Sequence, residues 1–427
     1  MTITFKTLGC KVNQYETQLM REQFASIGWE EKKEGGEIYI INTCSVTSNA
    51  DRKSRQMINR AIALKPKPLV VITGCGVNNK FSGVENIQGV DLKITNQQKE
   101  HIVPLLKSLL KQRGLVKDLV DLSSSLPSRI SSSAGHNRVF IKIQDGCDKH
   151  CSFCIIPYLR GRSRSRQLED VLREIEEVVE KGAKEIVLCG VQLGNYGRDI
   201  GTSLARLIEK VERIRGLERF RLSSLNPEEI DEEIISLFRN SDKLCSHLHL
   251  SLQSGDNNLL RMMRRAYTQE SFLSLLEKIR RKVDPLFSFS TDVMVGFPGE
   301  GEKEFLNTLK VIREAEFLRV HIFTYTPRKG TKAAEFLHKV NFLELKERRK
   351  RAERVAEEVS YRYRQRFLNR KVQVLTEGKR DKRGYLNGYT QHYIRVSFSG
   401  EDVLKNRIIS VKINRLEGEK TLGEVDA

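Results

Sequence analysis

IQDGCDKHCSFCIIPYLRGR, residues 143–162, is the stretch from which the rest of the chain is read. Cys147, Cys151 and Cys154 stand there in a Cys-x3-Cys-x2-Cys spacing. Soft thiolates this close together suit zinc or an iron–sulfur cluster. A structural zinc site is ordinarily closed by a fourth Cys or His. His150 falls inside the loop beside Cys151, poorly placed for that role, so the triad reads as three ligands with one place left open. The apolar run VFIKIQ (139–144) leads into it, which sets the triad at the carboxyl end of a strand.

Downstream the alternation continues. EIVLC (185–189), RFRLSS (219–224), HLHLSL (247–252), FSFSTDVMV (287–295) and VHIFTY (320–325) read as strands, with helical patterns such as LEDVLREIEEVVEKG between them. Six βα units fit a partial barrel whose working face is the carboxyl end of its strands. A long helical segment at 342–368 leads into KVQVLTEG, GYLNGYTQHYIRVSF and RIISVKI, short strands broken by Gly turns, which read as a small β-barrel or sandwich.

Upstream, ITFKTLGC, EIYIINTC and PLVVITGC are three apolar runs ending at Cys10, Cys44 and Cys75. Helical segments such as NQYETQLMREQFASIG separate them, so a parallel sheet is expected. Ligands bind beyond the carboxyl ends of such strands, where the three cysteines would meet. The fold class expected is α/β: an N-terminal parallel-sheet domain over 1–115, a partial (βα)6 barrel over 133–367 and a small β-barrel over 368–427. The Ser-rich stretch VKDLVDLSSSLPSRISSSAGHNR, roughly 116–138, reads as a linker.

Of the 427 residues, 39% are hydrophobic and 30% charged, which excludes a disordered chain. No apolar run reaches the ~18 residues of a membrane span, and the N-terminus lacks the pattern of a secretory signal. No membrane partner and a cytoplasmic location are therefore expected. The net charge of +19 points to a polyanionic partner, with RNA the leading candidate. Eight cysteines in a large chain of this class do not read as a disulfide framework. Cys189 and Cys245 stand apart from both groups and read as core residues.

The triad, with Phe153 before its last cysteine, resembles the radical S-adenosylmethionine superfamily. The segments LGCKVNQYET, INTCSVT, TGC, CSFCIIPYLRGRSRSR, LGNYG, RLSSLNPEEI, LQSGDNNLLRMMRRAYT, TDVMVGFPGE and YTPRKGTKAA together resemble its methylthiotransferases, across nearly the whole chain. LNGYTQHYIRV is similar to a TRAM domain, a small RNA-binding module. The resemblance implies a four-iron, four-sulfur cluster on Cys147, Cys151 and Cys154, with one iron open to S-adenosylmethionine. It implies a second such cluster on Cys10, Cys44 and Cys75 that delivers sulfur. An electron donor and a sulfur source are further implied partners. LGCKVNQYET and IIPYLRGRSRSR most resemble the MtaB-type subgroup. Its substrate is the anticodon loop of tRNA bearing threonylcarbamoyladenosine at position 37, methylthiolated at carbon 2. Isopentenyladenosine in tRNA, a ribosomal protein aspartate, and a non-catalytic metal-stabilised RNA-binding protein stay open as alternatives. GVNNK after TGC departs from the family, which more often has an aromatic and small residues there; no ligand position is touched.

Phe153, Gly190 and Gln192 are implied contacts of S-adenosylmethionine, against the plain alternatives of a packed ring and an ordinary βα turn. Asp292 and the GFPGE run either line the pocket or form a turn. Arg160, Arg162, Arg164 and Arg166 suit a cofactor carboxylate or RNA phosphate, or form a solvated face. Tyr389, His392 and Tyr393, interleaved with Arg395 and Lys405, suit stacking on unpaired bases or a small β core.

Overall fold

In the computed structural model, residues 1–115, 126–131 and 138–426 are described. The N-terminal domain runs β1 (Thr2–Thr7), α1 (Lys11–Ser26), β2 (Glu30–Glu31), β3 (Ile38–Thr43), α2 (Ser48–Ile62), β4 (Leu69–Gly74), α3 (Cys75–Asn78), β5 (Leu92–Ile94) and α4 (Ile102–Gln112). Its strands form one parallel sheet in the order β2-β1-β3-β4-β5. β3 is buried along its whole length, as its unbroken apolar run requires when helices cover both faces.

The second domain begins with β6 (Arg138–Lys142), a short pair β7 (Gln144–Asp145) and β8 (Arg164–Ser165) with α5 (Ile156–Arg160) between them, and α6 (Leu168–Glu180). It continues through β9 (Glu185–Cys189), α7 (Leu204–Glu212), β10 (Arg219–Leu222), β11 (Ser224–Leu225), α8 (Glu232–Asn240), β12 (His247–Leu250), α9 (Asn257–Met262), α10 (Gln269–Lys282), β13 (Ser288–Val295), α11 (Glu302–Ala315) and β14 (Arg319–Thr324). The sheets β6-β9-β10 and β11-β12-β13-β14 are parallel and meet at Ser223, where one expected strand is interrupted. The result is an open six-stranded βα barrel. Val171, Ile175 and Val178 of α6 show how its helices seal the outside, with apolar residues at helical spacing against the sheet.

The 24-residue helix α12 (Phe342–Gln365) packs along α11 and β14. It delivers the chain to a closed barrel of β15 (Lys371–Thr376), β16 (Leu386–Thr390), β17 (Arg395–Phe398), β18 (Ile408–Glu417) and β19 (Lys420–Val425), in the order β15-β16-β17-β19-β18. No helix among the described residues is long and apolar enough to cross a membrane.

Two expectations need correction. Of the stretch read as a linker, residues 116–125 and 132–137 lie outside the described residues, and 126–131 is packed rather than free. Ile130 is buried in the barrel core, its N–H donates to Glu174, and Pro127 O accepts from Gln23 of α1. The aromatic residues of the C-terminal module face the barrel. Arg219 Nη2 donates to Tyr389 O at 2.7 Å, and Arg221 donates to the carbonyls of Thr390 and Gln391. Arg138 and Arg221 stack on Tyr389 and Tyr393, each 4.6 Å from a ring centroid. His392 meets Asp284 at 2.9 Å. These partners lie at the amino ends of β6, β10 and β13, so the module closes the end of the barrel opposite the cysteine triad.

Candidate cluster-binding active site

β1, β3 and β4 are neighbours in register: Thr7 pairs with Asn42 and Thr43 with Gly74. Cys10, Cys44 and Cys75 follow directly after these ends, so residues 34 and 31 positions apart in sequence arrive side by side. Gly74 allows the last turn. Its φ is +97°, and a Cβ there would strike the Thr43 backbone. Asn13 ties the ends together, donating to Leu8 O at 2.8 Å and Thr43 O at 3.0 Å. Asn96 Nδ2 approaches Cys75 Sγ at 3.8 Å.

The second triad sits on the loop after β6. Gln144 organises its base. Its Oε1 accepts from Val191 N and Gln192 N, and its Nε2 donates to Gly146 O and Ser163 Oγ. Gly190 leaves room for it, since a Cβ there would come 2.8 Å from Gln144 Oε1. Gln192 Oε1 accepts from Asp148 N at 3.1 Å, and its Nε2 reaches Glu229 at 3.3 Å. Lys149 N donates to Cys147 Sγ at 3.4 Å. Arg265 Nη1 lies 3.3 Å from Cys151 Sγ while its Nη2 is held by Asn226 at 2.6 Å. Phe153 packs edge-on to Phe297, 6.5 Å between centroids, in a patch with Leu259 and Met263. Ser152 N donates to Met263 O, and Ala333 N donates to Ser152 O, which clamps the loop between two distant segments.

Burial pushes the thiols of Cys44 and Cys147 up to about 11 and that of Cys154 up to about 12, and neighbouring thiols add to each rise. These desolvated thiols, one in the N-terminal triad and two in the barrel triad, therefore resist ionisation unless positive charge joins them. An iron–sulfur cluster supplies that charge, and the N–H donors to sulfur suit it. Among the described residues no three His, Cys, Asp or Glu converge tightly enough for a single metal ion. Soft thiolates are the donor type that an iron–sulfur cluster takes, and each triad offers three of them.

The two triads belong to one assembly. Cys75, Ile155 and Leu159 form one buried apolar patch, and Ile155 follows Cys154. Arg160 bridges the domains with Glu16 Oε1 at 3.0 Å, Asp145 at 2.9 Å and Asn13 Oδ1 at 2.7 Å. Glu16 also takes Lys99 and Lys142. Burial pushes its carboxyl up, but these three cations together hold it well below the usual range. Arg166 pairs with Glu174 at 2.5 Å and Tyr15 OH at 3.0 Å. Arg160 thus forms a domain-joining ion pair, and Arg166 pairs within the barrel domain while bonding Tyr15 of α1; neither is a phosphate contact, whereas Arg162 and Arg164 are exposed. In the GFPGE run, Glu300 accepts from Gly296 N and pairs with Arg348 of α12 at 3.0 Å, so that run is a turn anchored to a helix. Asp292 instead meets His249 at 3.3 Å on the barrel's inner face. Cys189 and Cys245 are buried core residues, as expected.

Sequence reasoning left Arg265, Asn226, Glu229, Gln144, Asn13 and Asn96 without roles. Arg265, Asn226, Glu229 and Asn13 lie inside the quoted motifs, but nothing in the spacing says that Arg265 reaches back 114 residues to a thiol.

Residues 141–312 match the radical SAM superfamily, and residues 2–95 match a family described as uncharacterized protein family UPF0004. The Bacillus subtilis threonylcarbamoyladenosine tRNA methylthiotransferase MtaB is 35% identical, covering 96% of this chain and 93% of that protein. The Thermotoga maritima protein of the same name is 37% identical over 98% and 96%. A Fusobacterium nucleatum tRNA-2-methylthio-N(6)-dimethylallyladenosine synthase is 33% identical over 98% of each. Among solved structures, the radical S-adenosylmethionine methyltransferase TsrM of Kitasatospora setae shares the fold, with a TM-score of 0.56 at 15% identity over 78% of this chain and 77% of that one. The superfamily brings a four-iron, four-sulfur cluster and S-adenosylmethionine. The chain belongs to the radical S-adenosylmethionine tRNA methylthiotransferases.

Proposed function

We propose that this enzyme methylthiolates carbon 2 of threonylcarbamoyladenosine at position 37 of tRNA, using two four-iron clusters. Cys147, Cys151 and Cys154 hold the first, with Phe153, Gly190 and Gln192 beside S-adenosylmethionine; Cys10, Cys44 and Cys75 hold the second. The observation that carries the reading is the arrangement of Cys10, Cys44 and Cys75 at three adjacent strand ends, packed through Cys75 onto the loop of the other triad. The names borne by relatives such as those of B. subtilis and T. maritima support the substrate.

Carbon 2 carries no acidic proton, so base catalysis does not open it; the clusters and S-adenosylmethionine, when bound, supply the electron, the radical, the methyl group and the sulfur. The protein's own share is positional. Arg265 donates to a cluster thiolate, Gln192 fixes the loop through Asp148 N, and the Arg160–Glu16 network sets one triad against the other. The chain divides at 1–115, 133–367 and 368–427 into cluster-binding, barrel and TRAM-like units. An external electron donor and a sulfur source complete the reaction.

The test offers purified enzyme tRNAs bearing threonylcarbamoyladenosine and isopentenyladenosine in one pot, with both methylthio nucleosides quantified by mass spectrometry. The threonylcarbamoyl product is expected to dominate. A site with donors for polar groups rejects an analogue that leaves them unpaired. Predominance of the isopentenyl product refutes the substrate.

A further inference from the structure

A cavity of about 1370 Å3 extends from the barrel interior to α12 and the C-terminal module. Its inner wall is polar and cationic, with Arg221, His247, His249, Arg319 and His321 on neighbouring strands. Register places Arg319 beside Ser290 and His321 beside Asp292, on the face that also carries His249. The acids that pair with residues of this wall are taken up by those pairs: Asp292 meets His249 at 3.3 Å, and Glu185 is held by Arg219 and Arg221. The acids lining the cavity, Glu353, Glu357, Glu358, Asp381 and Glu419, come from α12 and the C-terminal module.

Into this cavity projects Lys11, the first residue of α1 and the neighbour of Cys10. Its ammonium makes no hydrogen bond or salt bridge among the described residues. The groups that feel its charge include Cys189, His247 and His321, none of them an anion at neutral pH. His247 is 3% exposed, and its Nδ1 has no hydrogen-bond partner among the described residues. An unpaired ammonium and an unpartnered buried imidazole nitrogen leave this inner wall, which carries no carboxylate of its own, short of a group with acceptor oxygens.

We propose that the cavity takes the modified adenine and that Lys11 Nζ pairs with the carboxylate of its N6 side chain. The assignment rests on the substrate reading above. In adenine, carbon 2 and the carbon bearing N6 flank the same ring nitrogen, so a carbamoyl substituent on N6 reaches along the edge that carbon 2 also occupies. A cation adjacent to Cys10 therefore stands where both the sulfur-receiving carbon and the carboxylate must come. Isopentenyladenosine offers that cation nothing, and seating a hydrocarbon against the half-buried ammonium removes its water without replacing it, which is costly. Lys11 is thus a residue that distinguishes an acidic N6 side chain from a hydrocarbon one.

The experiment compares anticodon stem-loop RNA whose threonylcarbamoyl group is the free acid or its methyl ester, on wild type, Lys11→Met and Lys11→Arg. Iron content is measured first on each, because Cys10 is adjacent. Wild type is expected to lose roughly ten- to hundred-fold in kcat/KM on esterification. Lys11→Met is expected to lose a similar factor on the acid with little further loss on the ester, and Lys11→Arg to restore acid preference. If Lys11→Met loses iron, Lys11→Gln, which keeps length and polarity without charge, carries the same comparison. A charge-free variant that keeps the wild-type acid preference, or loses equally on acid and ester as a phosphate-binding residue would, overturns the proposal. Wild type that treats acid and ester alike overturns Lys11's role but leaves the substrate standing. Wild type that modifies isopentenyladenosine instead removes both.

Discussion

Arg265 Nη1 lies 3.3 Å from Cys151 Sγ, a guanidinium donor joining the end of α9 to a triad on the far side of the barrel mouth. Hydrogen bonds and positive charge at a thiolate favour the more reduced, more negative state of a cluster. Arg265→Met should therefore keep its iron but show a lower cluster potential. Deoxyadenosine formation should slow, on the order of tenfold for the removal of one charged hydrogen bond. A redox titration followed by electron paramagnetic resonance, beside the rate with dithionite, checks both.

The two triads should load and act separately. Wild type should carry about eight irons after anaerobic reconstitution, and the Cys147, Cys151, Cys154 triple alanine variant about half of that. Cys44→Ala should still cleave S-adenosylmethionine yet give no methylthio product. Gly74→Ala should behave like a weaker Cys44→Ala. A side chain at φ +97° and against Thr43 strains that strand end by about 1–3 kcal/mol. Iron analysis and nucleoside mass spectrometry read all three.

Glu185 lies wholly buried between Arg219 at 2.5 Å and Arg221 at 3.0 Å, beneath the C-terminal module. Burial pushes its carboxyl up, but Arg221 and Arg219 outweigh this and hold it at about 2. A lowered carboxyl stabilises the fold above its ordinary range and loses that contribution as pH falls toward 2. Wild type should lose thermal stability steeply below about pH 4.5. Glu185→Gln should be less stable already at pH 7, by about 3–5 kcal/mol for a broken buried pair, with a shallower acid limb. Calorimetric midpoints between pH 3 and 7 test this.

RNA binding by the C-terminal module cannot be tested cleanly by deleting it, because Arg219 and Arg221 would lose their carbonyl partners. Its exposed Lys379, Lys382 and Arg383 serve instead. Changing all three to Ala should weaken tRNA binding. It should also flatten the dependence of log affinity on log salt by about 2, at ~0.7 for each single-strand phosphate that is no longer neutralised. An unchanged slope in filter binding across salt concentrations counts against this surface.

Much of this protein is local in its sequence. Apolar runs of strand length alternating with helical spacing determined the parallel sheet and the partial barrel, because period and connection length are properties of short segments. The cysteines at strand ends were legible for the same reason: parallel strands bring their carboxyl ends to one edge, so Cys10, Cys44 and Cys75 had to converge. Side-chain partnership was not legible. Arg160 and Arg166 sit in a basic run that looks like a phosphate clamp, yet Glu16 and Glu174 consume both, since a buried cation takes the nearest acid. Tyr389, His392 and Tyr393 look like a stacking surface, yet they close the barrel floor. Burial and charge pairing act between residues as far as 277 positions apart, as Arg328 and Asp51 are. Only the tertiary structure, which sets distance and excludes water, decides which charges remain free to meet a ligand; Lys11 remains free in the barrel cavity, and Arg160 does not.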